Sequence, residues 1–285
     1  MRRPFRFGVN LLFGADHRAW AAKCRRAEQL GYDVILTPDH LGHPDPFLSL
    51  LAAAEATEHP RVGTYVLNVP LWNPAMLRRA IETTDRLTGG RFELGLGAGR
   101  DRRDADAAGI EWHGHASRVA RLETLLGRPS GDEEGGRPFP GPVLIAGSGE
   151  RILALAARRA DIVAFRPVGD VHGVTRLLDA AAFDERTAYV RARTGERAAP
   201  IEANILLRTV VPTAHRRLEA ERLRRTFPEL STDALLETPA LLIGTVAEMA
   251  AGLCERRERF GFSYVVVQEP SMEALAPVIE AVAGH

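Results

Sequence analysis

The stretch Arg91-Phe-Glu-Leu-Gly-Leu-Gly-Ala-Gly-Arg100, "RFELGLGAGR", decides the fold. It reads as a strand running into a glycine-rich turn, which two architectures use differently. A dinucleotide-binding fold places Gly-x-Gly-x-x-Gly after its first strand, where a helix start grips a pyrophosphate. Here Gly95 and Gly97 would need a third glycine at position 100, where Arg100 stands. The strand is fourth in order, and the "DRRDADAAG" that follows reads as a charged loop. In a barrel of alternating strands and helices the same residues sit at the carboxyl end of a strand, where active sites gather. Missing side chains there admit a flat ring or a second backbone, while tight packing at a barrel corner is the plainer use of the same glycines.

The surrounding chain supports the barrel. Phe5, Phe7, Val9 and Leu11 alternate with polar or small residues, as in a strand. A helix follows from Asp16, a good N-cap, with Trp20, Cys24, Ala27 and Leu30 on one face and Gly31 as its stop. Further strands are expected at 33–37, 62–69, 91–97, 142–147, 161–165, 201–210 and 263–268, each followed by helical material. The region from 166 to about Arg193 reads as one long helical stretch. Thr245 and Glu248 form a capping box for the helix carrying Met249, Leu253 and Phe260. Eight strand–helix units in under 300 residues predict an α/β fold of the (β/α)8, TIM-barrel type. The "GRPSGDEEGGRPFPG" of 127–141 reads as a surface loop, and the rhythm continues unchanged across it, so residues 1–285 are expected to form one domain.

Composition narrows the function. The chain has 285 residues, is 45% hydrophobic and carries a formal net charge of +0, which argues against nucleic-acid and membrane-surface partners. The opening "MRRPFRFGVN" has too short an apolar segment for a signal peptide, and no run is long enough to span a bilayer. Cys24 and Cys254 lie far apart on expected helices and read as reduced thiols of a cytoplasmic protein. Lys23 is the only lysine, a sign of codon bias more than of function.

A second glycine site, Gly147-Ser148-Gly149, stands between an expected strand and helix. Free N–H groups and the positive dipole end would bind an anion there, with Ser148 as cap or donor; a simple serine-capped helix is the alternative. His113 and His115 have no third ligand nearby, so no metal is expected. Arg256, Arg257, Glu258 and Arg259 read as a solvated helix face.

In order and spacing, "AEQLGYDVILTPDHL", "VGTYVLNVPLWNP", "TDRLTGGRFELGLGAG" and "LIAGSGERILALAARRADIV" resemble the bacterial luciferase-like flavin and deazaflavin oxidoreductases. The C-terminal "LLIGTVAEMAAGLCERRERFGFSYVVV" is similar to the end region of the coenzyme F420-dependent branch. The resemblance covers nearly the whole chain except 127–141, a loop shorter than the insertion usual in that family. It implies a TIM barrel with the cofactor ring across its mouth, a homodimer, and a small-molecule substrate. A bulged third strand, commonly with a non-proline cis peptide, would support the ring at Leu67, Asn68 and Val69. Gly97 and Gly99 would line the ring pocket, and Gly147, Ser148 and Gly149 would hold the cofactor phosphate; Arg166, just past the sixth strand, reads either as a further phosphate contact or as a solvated surface residue.

Taken alone, His40 in "TPDH" reads as a structural hydrogen-bonder at a strand end; in this register it matches a position that serves acid–base chemistry in several deazaflavin dehydrogenases, and Asp39 would orient it or ionise the wall. Trp72, in the loop after the third strand, reads either as a wall on the substrate side of the pocket or as core packing. One departure matters: several of these dehydrogenases keep an acid just after the fourth-strand glycines, and this chain has Arg100. A guanidinium does not act as a proton donor at neutral pH, so Arg100 is assigned to an anionic substrate or the polyanionic cofactor tail. The resemblance therefore implies hydride transfer with coenzyme F420; an FMN-dependent monooxygenase and a catalytically silent barrel are the alternatives.

Overall fold

The computed structural model describes residues 3–127, 139–171, 174–195 and 200–283, so most of the expected 127–141 loop lies outside the described residues. Eight parallel strands close into a barrel. They are β1 (Arg6–Asn10), β2 (Val34–Thr37), β3 (Arg61–Thr64), β4 (Phe92–Gly97), β5 (Val143–Gly147), β6 (Ile162–Phe165), β7 (Glu202–Leu207) and β8 (Phe262–Gln268). Each pairs with its neighbour in sequence. The ring closes where Val9 of β1 lies opposite Val267 of β8.

Each strand presents two apolar faces, because one looks into the barrel and the other onto the helices. Val34 and Leu36 of β2 join Leu144, Ile162, Ala164, Tyr264 and Val266 in the inner cluster. Ile35, Val265 and Val267 point the other way, into the larger core beneath the helices. Those helices are α1 (His17–Gln29), α2 (Pro46–Ala56), α3 (Pro74–Leu87), α4 (Arg102–Ala107), α5 (His115–Leu125), α6 (Glu150–Arg159), α7 (Ala180–Arg191), α8 (Arg216–Leu223), α9 (Thr232–Glu237), α10 (Val246–Phe260) and α11 (Met272–Val282). Their starts follow local chemistry. Asp16, Asp45, Asn73 and Asp179 accept first-turn N–H groups, Pro46 and Pro74 open α2 and α3, and Thr245 with Glu248 forms the capping box. Cys24 is buried on α1, where desolvation pushes its thiol up to about 12.

Four local expectations change. The third strand is interrupted by a cis Tyr65–Val66 peptide, after which Leu67–Asn68 pairs with β4. The seventh strand ends at Leu207, and Thr209–Pro212 leaves the barrel to pair with Leu241–Gly244, a buried apolar strand that needs a mate. The stretch after β6 opens with an antiparallel hairpin, Val168–Val171 against Val174–Leu177, and turns helical only at Ala180. Pro167 and Gly169 disfavour a helix there, and β-branched residues favour strands. The supposed charged loop after β4 contains α4, started by Asp101 accepting from Arg103 N and braced by the Arg102–Asp106 pair.

The end of the barrel opposite the active-site mouth is plugged by charge. Arg6 reaches Glu93 (2.5 Å) and Glu202 (2.7 Å), both almost fully buried, and covers the Tyr264 ring at 4.4 Å. Arg61 and Arg3 approach the same two carboxylates at 3.6 and 3.7 Å. Among the described residues no helix is long and apolar enough to cross a membrane.

Candidate active site

A cavity of about 660 Å³ opens at the carboxyl ends of the strands. One wall comes from the β2 end, the broken third strand and the β4 turn: His40, Tyr65, Val66, Asn68, Gly97, Gly99 and Arg100. The opposite wall comes from β5, β6 and their helices, with Gly147, Ser148, Gly149, Arg166 and Arg186. His115 and Arg118 of α5 complete it.

His40 is half exposed, and its Nδ1 lies 2.9 Å from Oδ2 of Asp104 on α4. An ionised carboxylate there holds the proton on Nδ1, which leaves the Nε2 lone pair free to take a proton. The partner expected for His40 was Asp39, and this is corrected. The Asp39 carboxylate is buried and accepts instead from Asn68 N and Trp72 Nε1, both at 2.8 Å. Burial pushes Asp39 above the ordinary carboxylate range, against the pull of those two bonds. Its role is to pin the third-strand extension against the end of β2.

Of the two readings of Trp72, packing against the core is the one the structure shows. Held by Asp39, its ring packs edge-on against Phe47 at 5.4 Å. The third-strand support keeps Asn68 but exchanges Leu67 and Val69 for Tyr65 and Val66. Tyr65, Val66 and Asn68 face the cavity, whereas Leu67 and Val69 are buried in the core; the two-residue alternation runs from Val66 onward, and across the cis peptide Tyr65 faces the same way as Val66. Tyr65 Oη donates to Asn204 Oδ1 at 2.8 Å, and Asn204 Nδ2 donates to the Tyr264 carbonyl, a polar chain that steadies the cavity floor.

The glycines act by letting other groups approach. A Cβ on Gly97 would meet Val66 Cγ2 at 2.8 Å, so the room it yields is taken by the interrupted strand, and Val66 then borders the cavity. A Cβ on Gly147 would collide with the Ile152 side chain, so glycine lets the first turn of α6 close over the end of β5. Gly149 is the N-cap of α6, and no side chain caps it. The expected Ser148 cap is therefore corrected: Ser148 lines the cavity, and the first-turn N–H groups are left to solvent or a ligand.

Cations surround that helix start. Arg186 donates from Nε to the Ser148 carbonyl (3.3 Å) and from Nη1 to the Ala182 carbonyl (3.1 Å). Arg118 donates to the Ala98 and His113 carbonyls and stacks on Trp112 at 3.9 Å. Burial lowers the pKa of Arg186 and of Arg118. Burial, then Arg118 and Arg151, holds His115 below the ordinary imidazole value. Among the described residues no aspartate or glutamate lines the cavity, so these desolvated cations favour an anion. Among the described residues no group of three His, Cys, Asp or Glu side chains gathers as a metal cluster would, and His113 pairs with Glu111 at 3.5 Å.

His40, the glycines and two of the four cavity arginines, Arg100 and Arg166, were legible in the sequence. Asp104, Arg118 and Arg186 were not, because long-range folding brings them to the mouth.

Comparison with known proteins bears on the family and the fold. An F420-dependent glucose-6-phosphate dehydrogenase of Intrasporangium calvum is 35% identical over 166 residues, 48% of this chain and 50% of that protein. A 4-hydroxyprotoasukamycin monooxygenase of Streptomyces nodosus subsp. asukaensis is 33% identical over 114 residues, 37% of this chain and 30% of that protein. The chain thus matches half or less of the length of these two relatives. The solved coenzyme F420-dependent tetrahydromethanopterin reductase from Methanopyrus kandleri shares the fold, with a TM-score of 0.71 over 99% of both chains at 17% identity. Residues 4–264 match the family described as luciferase-like monooxygenase, and the chain belongs to that family.

Proposed function

We propose that this chain is an oxidoreductase moving a hydride between coenzyme F420 and a small organic alcohol or carbonyl compound. One observation carries the reading: a single cavity joins a carboxylate-oriented histidine to an uncapped helix start framed by arginines. Relatives described as F420-dependent support the cofactor.

The residues fit such a group. The cavity has the volume of a cofactor site, its described lining residues include cations and no carboxylate, and Gly147 with Ser148 and Gly149 leaves backbone N–H groups exposed to a phosphate. Ser148, Gly149, Arg166 and Arg186 would hold that phosphate, and Tyr65, Val66 and Asn68 would back the ring, with Gly97 and Gly99 beside it. When bound, the deazaflavin supplies a carbon that accepts or returns a hydride, two electrons at a time.

His40 manages the proton. In the oxidative direction the substrate carbinol C–H bond gives up its hydride while Nε2 of His40 takes the hydroxyl proton, leaving a carbonyl group. In the reductive direction the same nitrogen returns the proton. Asp104 keeps the ring in the required tautomer and stabilises the imidazolium formed. A cytoplasmic homodimer belongs to the same reading, and sedimentation equilibrium of the purified protein checks the stoichiometry.

A second reading, an FMN-dependent monooxygenase, draws on the family description and the Streptomyces relative. Two assays separate them. Anaerobic mixing with F420 and a panel of alcohols should bleach the deazaflavin absorbance with at least one alcohol. Substrate-dependent oxygen uptake with reduced FMN, and no bleaching with F420, would establish the second reading instead. Silence in both assays would leave a barrel without catalysis.

A further inference from the structure

We infer that the substrate is a small organic anion, its charge held by Arg100 while His40 holds the reacting oxygen. This rests on the cavity being the hydride-transfer site proposed above.

The charges in the segment after β4 explain why. Asp101 caps α4 and takes Arg103 in a two-pronged pair, with Nε at 3.0 and 3.1 Å and Nη2 at 2.5 Å. Asp106 takes Arg102 at 3.4 Å, and Asp104 takes His40. All three carboxylates are thereby committed. Arg100 alone of the three arginines has no ion pair or hydrogen bond among the described residues, and it borders the cavity. A solvated arginine is ordinary on a convex surface. Here the described wall contains no carboxylate, so among the described residues the cavity offers Arg100 no counter-charge, and an anionic ligand would supply one.

Position separates this cation from those serving the cofactor. Arg166 and Arg186 stand with Ser148 and Gly149 at the β5 and β6 ends, where the phosphate is proposed to lie. Arg118 has its Nε and Nη1 tied to backbone carbonyls and its face against Trp112. Arg100 comes four residues before Asp104, the residue bonded to His40, so one short segment carries both the anion clamp and the carboxylate that sets the proton acceptor. A guanidinium fork matches the two oxygens of a carboxylate or a phosphate monoester. The substrate is therefore a hydroxy or oxo compound bearing one of these groups, and neutral alcohols bind poorly.

The test measures equilibrium binding by calorimetry to the cofactor-loaded protein, wild type and Arg100→Gln. Its probes are two matched pairs, lactate with propane-1,2-diol and glycerol 3-phosphate with glycerol. At least one anion should bind about tenfold or more tighter than its neutral partner, and the pair in which this occurs identifies carboxylate or phosphate. Arg100→Gln should bring that ratio to within about twofold while F420 affinity stays within the same margin. Added salt should shrink the wild-type ratio. Equal binding within both pairs, or a ratio that survives Arg100→Gln, overturns the inference. So does a parallel loss of F420 affinity in the variant, which would give Arg100 to the cofactor tail. If FMN binds in place of F420, the hydride-transfer reading fails by itself, and the same pairs on the FMN-loaded protein still decide the role of Arg100.

Discussion

At the residue scale the central pair is His40 and Asp104. Replacing His40 by Ala should lower turnover on the order of 10²- to 10⁴-fold with F420 affinity unchanged. Asp104→Asn should cost about tenfold or more through the wrong tautomer; turnover equal to wild type in either variant removes that residue from the chemistry. His115 gives a prediction independent of activity. Held down by burial and by Arg118 and Arg151 in the free protein, its pKa should rise when an anionic cofactor fills the site, as followed by NMR titration. By linkage, cofactor affinity should increase as pH falls from the bound-state value to the lower free-state value, and level off beneath it. Affinity that is flat or falls across that window would place the phosphate away from His115. His40 was legible because "TPDH" follows an apolar strand run, where barrels put their chemistry. Asp104 was not, because it lies 64 residues on in a segment read as loop. The Asp101 cap and the Arg102–Asp106 pair are the signals that would have revealed its helix.

At the element scale the site depends on three close approaches: the interrupted third strand against β4, α4 against the end of β2, and the start of α6 against β5. Gly147→Ala tests the last. Its methyl would strike Ile152, branch point included, so the first turn of α6 must shift, at a cost of about 1–3 kcal/mol. Thermal unfolding should show that loss, F420 affinity should fall with it, and Ile152→Ala in the same chain should restore much of both. A fully stable Gly147→Ala protein would contradict this packing. The strand–helix rhythm was readable because period-two and period-3.6 patterns are local. The break at Tyr65–Val66 was not, since "VGTYVLNV" alternates as a continuous strand would and only pairing with β4 shows where it stops. Asp39 was misread for a related reason: its neighbour His40 points to the mouth, while Asp39 turns to the backbone of a segment 29 residues away.

At the scale of the whole molecule, charge is divided between the two ends of the barrel. The far end is closed by Arg6 with Glu93 and Glu202, so the opening stretch "RFELGLGAGR" serves both ends, with Glu93 in the plug and Arg100 at the mouth. Arg6→Met would leave two buried carboxylates short of a counter-ion and should cost about 3–5 kcal/mol at neutral pH. Glu202 is already raised by burial, opposed chiefly by Arg6. A carboxylate raised in the folded state loses stability as pH climbs from its unfolded value through its folded one, so the deficit of the variant should shrink toward acid pH. A pH-independent deficit in chemical denaturation would mean lost packing in place of lost charge. The mouth has the opposite character, cations without lining carboxylates among the described residues, and this was only partly legible: Arg166 and Arg100 follow barrel strands in sequence, whereas Arg118 and Arg186 arrive on helices from elsewhere. The account is tested most directly by titrating wild type and Arg186→Leu with F420 and with FMN, following ring fluorescence. It predicts saturable F420 binding to wild type, affinity about tenfold or more weaker in the variant, and little response to FMN. FMN binding without F420 binding, or F420 affinity untouched by Arg186→Leu, would contradict it.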